Sequence, residues 1–156
     1  MKQSKEGGMD KEYKEIISMV NKETKAWNEK DVGSLLELFH EDMVWPWPRD
    51  EHCHNPVEWE IVQGKFNFNR WKKGWEELFN AYELEKNDRS IVKIELSKEK
   101  DGAFAVVDID TVWKNKKDKK AMVWKGRVCK VYSKCKNGWK ITMHTGVLNY
   151  NDINAS

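Results

Sequence analysis

Two aspartates, Asp108 and Asp110, stand two residues apart inside the apolar run AVVDIDTV at 105–112. Alternation along a strand puts both carboxylates on one face. A carboxylate beside Val106, Val107, Ile109 and Val112 must find donors or take up a proton, because loss of water raises its pKa. The pair is therefore a candidate acid or base for proton transfer near neutral pH. The alternative is a face at a rim or a dimer contact, with Lys or Arg as partners. Arg127 alternates with Lys125 and Cys129 in the next apolar run, and a strand Arg can fork onto Asp108, onto Asp110 or onto an acidic ligand. A structural pair across neighbouring strands is the other use of that Arg. His144 shares a face with Thr142 and Lys140 and titrates near physiological pH, so it is a candidate proton carrier. A hydrogen-bonded structural His is the alternative.

His52, Cys53 and His54 form a second cluster in a stretch holding Pro56 and no clean period. His52 and His54 would point the same way in extended chain, but the spacing matches no zinc signature, and no metal and no cofactor is expected. The expected role of residues 49–65 is a loop over a pocket mouth, with His54 among the ligand contacts. Trp45, Trp47, Trp59, Trp71, Trp75, Trp113 and Trp124 supply large rings, and most of these must be core. Trp45, Trp47, Trp75 and Trp124 are the candidates to line a site for a flat, hydrophobic molecule.

These groups need a scaffold, and the hydrophobic periods describe one. Tyr13, Ile17, Val20, Thr24 and Trp27 recur at helical steps, with Asp10 as N-cap. Asp31 caps a second, shorter helix whose inward face is Val32, Leu35, Leu36 and Phe39. MVWPWP, with Pro46 and Pro48, is extended chain leaving a short strand. Phe68, Trp71, Trp75, Leu78, Phe79 and Tyr82 repeat as a third helix, capped by Asn67 or Asn69. The period then drops to two at Val92, Ile94 and Leu96. Asp101-Gly102 and Asn137-Gly138 are hairpin signals between strands at 103–114, 121–133 and 139–149. Helices first and strands after give an α+β class: three helices packed in the concave face of a curved, mostly antiparallel sheet.

The chain has 156 residues, enough for one domain with a proper core, expected over 10–150 with tails at 1–9 and 151–156. Nine Trp residues allow that core to be built from few positions. With 28 basic against 26 acidic residues, nearly all the basic ones Lys, nothing argues for nucleic acid. No apolar run approaches the ~20 residues of a membrane span, and the start has no apolar secretion core. Three cysteines with no paired spacing fit a reducing cytoplasm.

The first helix ending in Trp27, followed by LLELFHEDMVWPWP, resembles the nuclear transport factor 2-like superfamily, in which a short helix runs through F-x-x-D into the first strand. GRVCKVYSKCKNGWKITMHTG resembles the closing hairpin of that superfamily, with a Gly-Trp pair opening the last strand and a His near its end. The resemblance spans roughly 10–150 and implies a cone-shaped α+β barrel, a pocket inside it and frequent homodimers through the outer sheet face. It carries over no complete catalytic set, and the 49–65 stretch departs from the pattern. The expected function is that of a SnoaL-like domain binding a small, partly hydrophobic molecule, with proton transfer of isomerase, cyclase or dehydratase type. The alternative is a non-catalytic homodimeric ligand-binding or assembly domain, since one fold hosts many functions.

Overall fold

The computed structural model describes residues 10–50, 52 and 55–149. Helix α1 (Lys11–Glu29) buries Ile16, Met19, Val20, Glu23, Ala26 and Trp27, so the buried stripe includes an acid. Lys30 in the left-handed region closes the helix, and Asp31 starts α2 (Val32–Glu37) by accepting from the Ser34 amide. Phe39 does not continue that helix as its spacing predicts. The Leu38 carbonyl accepts from the Ile141 amide at 2.7 Å, and the chain is drawn into strand β1 (Phe39–Val44), parallel to the last strand.

The described part of the 49–65 stretch is more regular than a plain loop. Strands β2 (Trp47–Pro48) and β3 (Trp59–Glu60) pair across them, and a short 3-10 turn spans Pro56–Glu58. Asn67 then caps α3 (Phe68–Ala81) through the Arg70 amide, and Tyr82 opens the next strand instead of ending the helix. Strands β4 (Tyr82–Leu96), β5 (Gly102–Asn115), β6 (Ala121–Cys135) and β7 (Gly138–His144) form an antiparallel meander, and the sheet order is β1-β7-β6-β5-β4. The class is α+β, with three helices against one curved, mostly antiparallel sheet that is not closed into a barrel.

Strand β4 begins ten residues before the alternation at Val92 predicts. Irregular pairing between Leu84 and Lys86, and again between Ile91 and Lys93, resets which residues face inward. That shift hides the strand from a strict period-two reading. Chain beyond β7 returns to β6, where Arg127 and Leu148 exchange backbone hydrogen bonds at 2.8 and 2.9 Å. Gly126 makes this approach possible: its φ is +146°, and a Cβ there would sit 2.4 Å from the Leu148 carbonyl oxygen.

The core lies between α1, α3 and the concave face. Trp27 is its hub, meeting Trp75 at 5.0 Å, Phe79 at 5.7 Å and Trp124 at 5.8 Å between ring centroids, each edge to face. Such ring pairs add about 1 kcal/mol each beyond the apolar area they bury. Among the described residues, no helix is long and apolar enough to cross a membrane.

Candidate functional site

The alternation of β5 decides which side the two aspartates occupy. Ala103, Ala105, Val107, Ile109, Thr111 and Trp113 are buried inward, whereas Asp108 and Asp110 are half-exposed on the opposite face. Arg127 stands directly across from Asp108 and forks onto it, with Nε donating to Oδ1 at 2.7 Å and Nη2 to Oδ2 at 3.0 Å. Asp110 accepts from Lys86 Nζ at 2.7 Å, with Lys125 Nζ at 4.0 Å. The sheet therefore separates these three residues from His144, which is buried on the other side. His54 and Cys53 lie outside the described residues.

On the concave side a cavity of about 170 Å³ opens beneath the rings of Trp27, Trp45, Trp47, Trp75 and Trp124. Four of these are the ligand-contact candidates read from the sequence, and they come from three separate places: the chain after β1, helix α3 and strand β6. Val62 and Gln63 complete one side. Their loop is held to α3 because the Gln63 carbonyl accepts from Arg70 Nε at 2.7 Å and from Trp71 Nε1 at 3.1 Å.

Charged groups with no prior assignment make up the polar lining of the cavity. Glu23 from α1 and Lys130 from β6 are each only 1% exposed, and Lys130 Nζ donates to Glu23 Oε2 at 2.7 Å. Trp27 Nε1 donates to the same oxygen at 3.0 Å, whereas Glu23 Oε1 finds no hydrogen-bond partner among the described residues. Burial, the largest single influence, would raise the Glu23 pKa, but the Lys130 charge, the His144 ring and the hydrogen bonds from Lys130 and Trp27 together outweigh it and hold the carboxyl down at about 2. Burial pushes the Lys130 pKa down, and Glu23 opposes that push. A buried pair of this kind is a costly thing to keep. Positions that must pack only against apolar rings have no need of it.

Arg89 from β4 also lines the cavity. It faces inward because of the irregularity at Leu84–Lys86. Its Nη1 donates to Thr111 Oγ1, and Thr111 donates in turn to Asn87 Oδ1 at 3.1 Å. Asn87 Nδ2 reaches Asn28 Oδ1 on α1 at 2.8 Å, so a chain of side chains fixes the guanidinium. Burial lowers its pKa to about 10, which still leaves it charged at neutral pH.

His144 ends β7 and stacks on Trp45, with ring centroids 4.0 Å apart. Its Nδ1 lies 2.7 Å from the Thr145 carbonyl oxygen. A carbonyl only accepts, so Nδ1 carries the hydrogen and Nε2 keeps its lone pair. Burial, with the Lys130 charge adding to it, depresses the His144 pKa to about 3. The ring is neutral across the physiological range.

Sequence patterns did contain signals for the residues missed. Glu23 sits three after Val20 and four before Trp27 on the α1 stripe, and Lys130 falls between inward-facing Val128 and Tyr132. An acid on one apolar stripe and a lysine on another are a pair in waiting. Arg89 had no such signal, because the bulge sets its direction.

No protein-family model matches the sequence, and no curated protein does. Solved structures do match in fold. A ketosteroid isomerase-like protein from Erwinia carotovora atroseptica superposes with a TM-score of 0.66 at 13% identity, over 88% of this chain and 95% of the other. A nuclear transport factor 2-like protein of unknown function from Prochlorococcus gives 0.66 at 15% identity, over 95% and 100%. A candidate scytalone dehydratase from Novosphingobium aromaticivorans gives 0.63 at 14% identity, over 93% and 95%. At such identities the likeness is one of fold: the chain has the cone-type α+β fold of the nuclear transport factor 2-like superfamily.

Proposed function

We propose that this chain binds a small, flat, partly hydrophobic molecule beneath the tryptophan rings and moves a proton on a carbon next to a carbonyl group. The observation that carries the reading is the Glu23–Lys130 ion pair, buried beside Arg89 and neutral His144 on the lining of a cavity walled largely by tryptophan rings. A buried charge cluster is expensive, and it is best accounted for where it meets a ligand.

In this mechanism the rings clamp the substrate plane, and Val62 and Gln63 restrict water. The His144 Nε2 lone pair accepts the proton as negative charge develops on the substrate and offsets the burial and the Lys130 charge that otherwise disfavour imidazolium, while its Nδ1–H stays on the Thr145 carbonyl and orients the ring. Negative charge then develops on the substrate oxygen, where Lys130 donates to it. Glu23 keeps Lys130 in place and charged. Asp108, Asp110 and Arg127 take no part, because on the far face of the sheet Arg127 pairs with Asp108 and Lys86 with Asp110.

1-Tetralone is a suitable probe: a flat bicyclic ketone with exchangeable hydrogens beside its carbonyl. In deuterated buffer the protein should speed its deuterium uptake, followed by proton NMR, well above the buffer rate. Uptake at the buffer rate under saturating binding would leave a binding protein without this chemistry. Absence of any binding would remove the pocket reading.

A second reading, a homodimer through the outer sheet face, draws on one specific observation. Phe104, Val123 and Met143 lie exposed on that face, around the Asp108–Arg127 pair. Light scattering at high protein concentration should then give twice the chain mass, and a clean monomer would end that reading.

A further inference from the structure

We propose that the ligand is an aryl carboxylate and that Arg89 binds its carboxylate group. This rests on the cavity being the ligand site, and it follows from counting the charges that face the cavity. Helix α1 contributes Glu23, β4 contributes Arg89, β6 contributes Lys130 and β7 contributes His144, while β5, α3 and the 61–66 loop contribute no ionisable group. Glu23 is already committed to Lys130 at 2.7 Å. With His144 neutral, the remaining guanidinium leaves the cavity one positive charge in excess.

Arg89 has no carboxylate within 4 Å among the described residues. Its neighbour Asp88 is 73% exposed, and its side chain lies 3.6 Å from Lys86 Nζ, on the solvent side where water screens it. Apart from Thr111, the guanidinium reaches only the Asp88 carbonyl, at 3.4 Å, and its Nε is buried without a partner. Glu23 and Asp88 act on Arg89 only from a distance, and a buried cation short of acceptors in contact is unfavourable; a planar carboxylate supplies them in the geometry a guanidinium fork requires. The Thr111–Asn87–Asn28 chain already fixes the fork, so little freedom is lost when an anion docks.

Neutral donors tell the same story. Trp45 Nε1 and Trp75 Nε1 are buried without acceptors, and both side chains line the cavity. Excess donors call for an oxygen-rich head group, and walls of indole call for an aromatic body. A carboxylate on a fused-ring frame meets both demands.

The test compares 2-naphthoate with 2-naphthamide, which share shape and size and differ in charge, by calorimetric titration at low salt. The carboxylate should bind about 10-fold tighter or more, in line with a charge-assisted fork. Arg89→Met should erase that difference while still binding the amide. Arg89→Lys keeps the charge without the fork and should retain only part of the preference, which covers the case in which Arg89→Met fails to fold. Equal binding of the two probes to the unmodified protein overturns the inference and leaves the cavity reading standing. So does a preference that survives in Arg89→Met. Failure of both probes to bind overturns the cavity reading itself.

Discussion

Lys130→Met should lose about 3–5 kcal/mol of stability, the usual consequence of stranding one member of a buried ion pair. Glu23 would then keep only the Trp27 indole as hydrogen-bond donor among the described residues. Adding Glu23→Gln to that variant removes the stranded charge, and most of the loss should return, because two neutral side chains of similar size can pack where the pair stood. Urea unfolding followed by tryptophan fluorescence measures both. A loss below about 1 kcal/mol for Lys130→Met would mean that water or another cation reaches Glu23. The same pair sets an acid limit. The folded-state pKa of Glu23, about 2, lies below its ordinary 4.5, so its contribution is complete above pH 4.5 and fades as pH falls toward 2.

His144→Gln should slow the tetralone exchange by about 10²–10⁴-fold, the range for losing a positioned general base. Glutamine can preserve the bond to the Thr145 carbonyl but has no basic nitrogen, so the fold should survive where the chemistry does not. Stability against pH provides an independent readout. His144 is held neutral with a pKa of about 3, below the ordinary 6.5, so the unfolded chain binds a proton through that interval that the folded chain refuses. The wild type should therefore lose stability as pH falls from 6.5 toward 3, by on the order of 4–5 kcal/mol. The variant should lack that component and keep the Glu23 component at lower pH. Exchange unchanged in the variant would take His144 out of the mechanism. A stability profile that matches the wild type would show that the ring is not buried neutral.

These two residues illustrate how much could be read before folding. His144 could be found because it lies in the last strand, near a hairpin that Asn137-Gly138 fixes, and because imidazole is chemically conspicuous. Lys130 left a fainter signal, because one lysine among many looks like solvated surface even where it alternates with Val128 and Tyr132. The Trp residues gave a similar division. Their number implied an aromatic interior, but only the meeting of the β1 exit, α3 and β6 around Trp27 shows which rings leave space.

The sequence by itself determined the α+β class, the three helices, the hairpins and the fact that Asp108 and Asp110 share a face. Those are local properties, fixed by period, caps and turn residues within a few positions of chain. Tertiary structure decided which face turned inward. A period of two says that neighbours alternate, not which set meets the helices, and the burial of Ile109 and Thr111 sent both aspartates outward to Arg127 and Lys86. It also decided the cluster of Glu23, Arg89, Lys130 and His144, whose members are spread from 23 to 144 along the chain. A bulge in β4 and the docking of α1 across the sheet bring them together, and neither leaves a mark at short range.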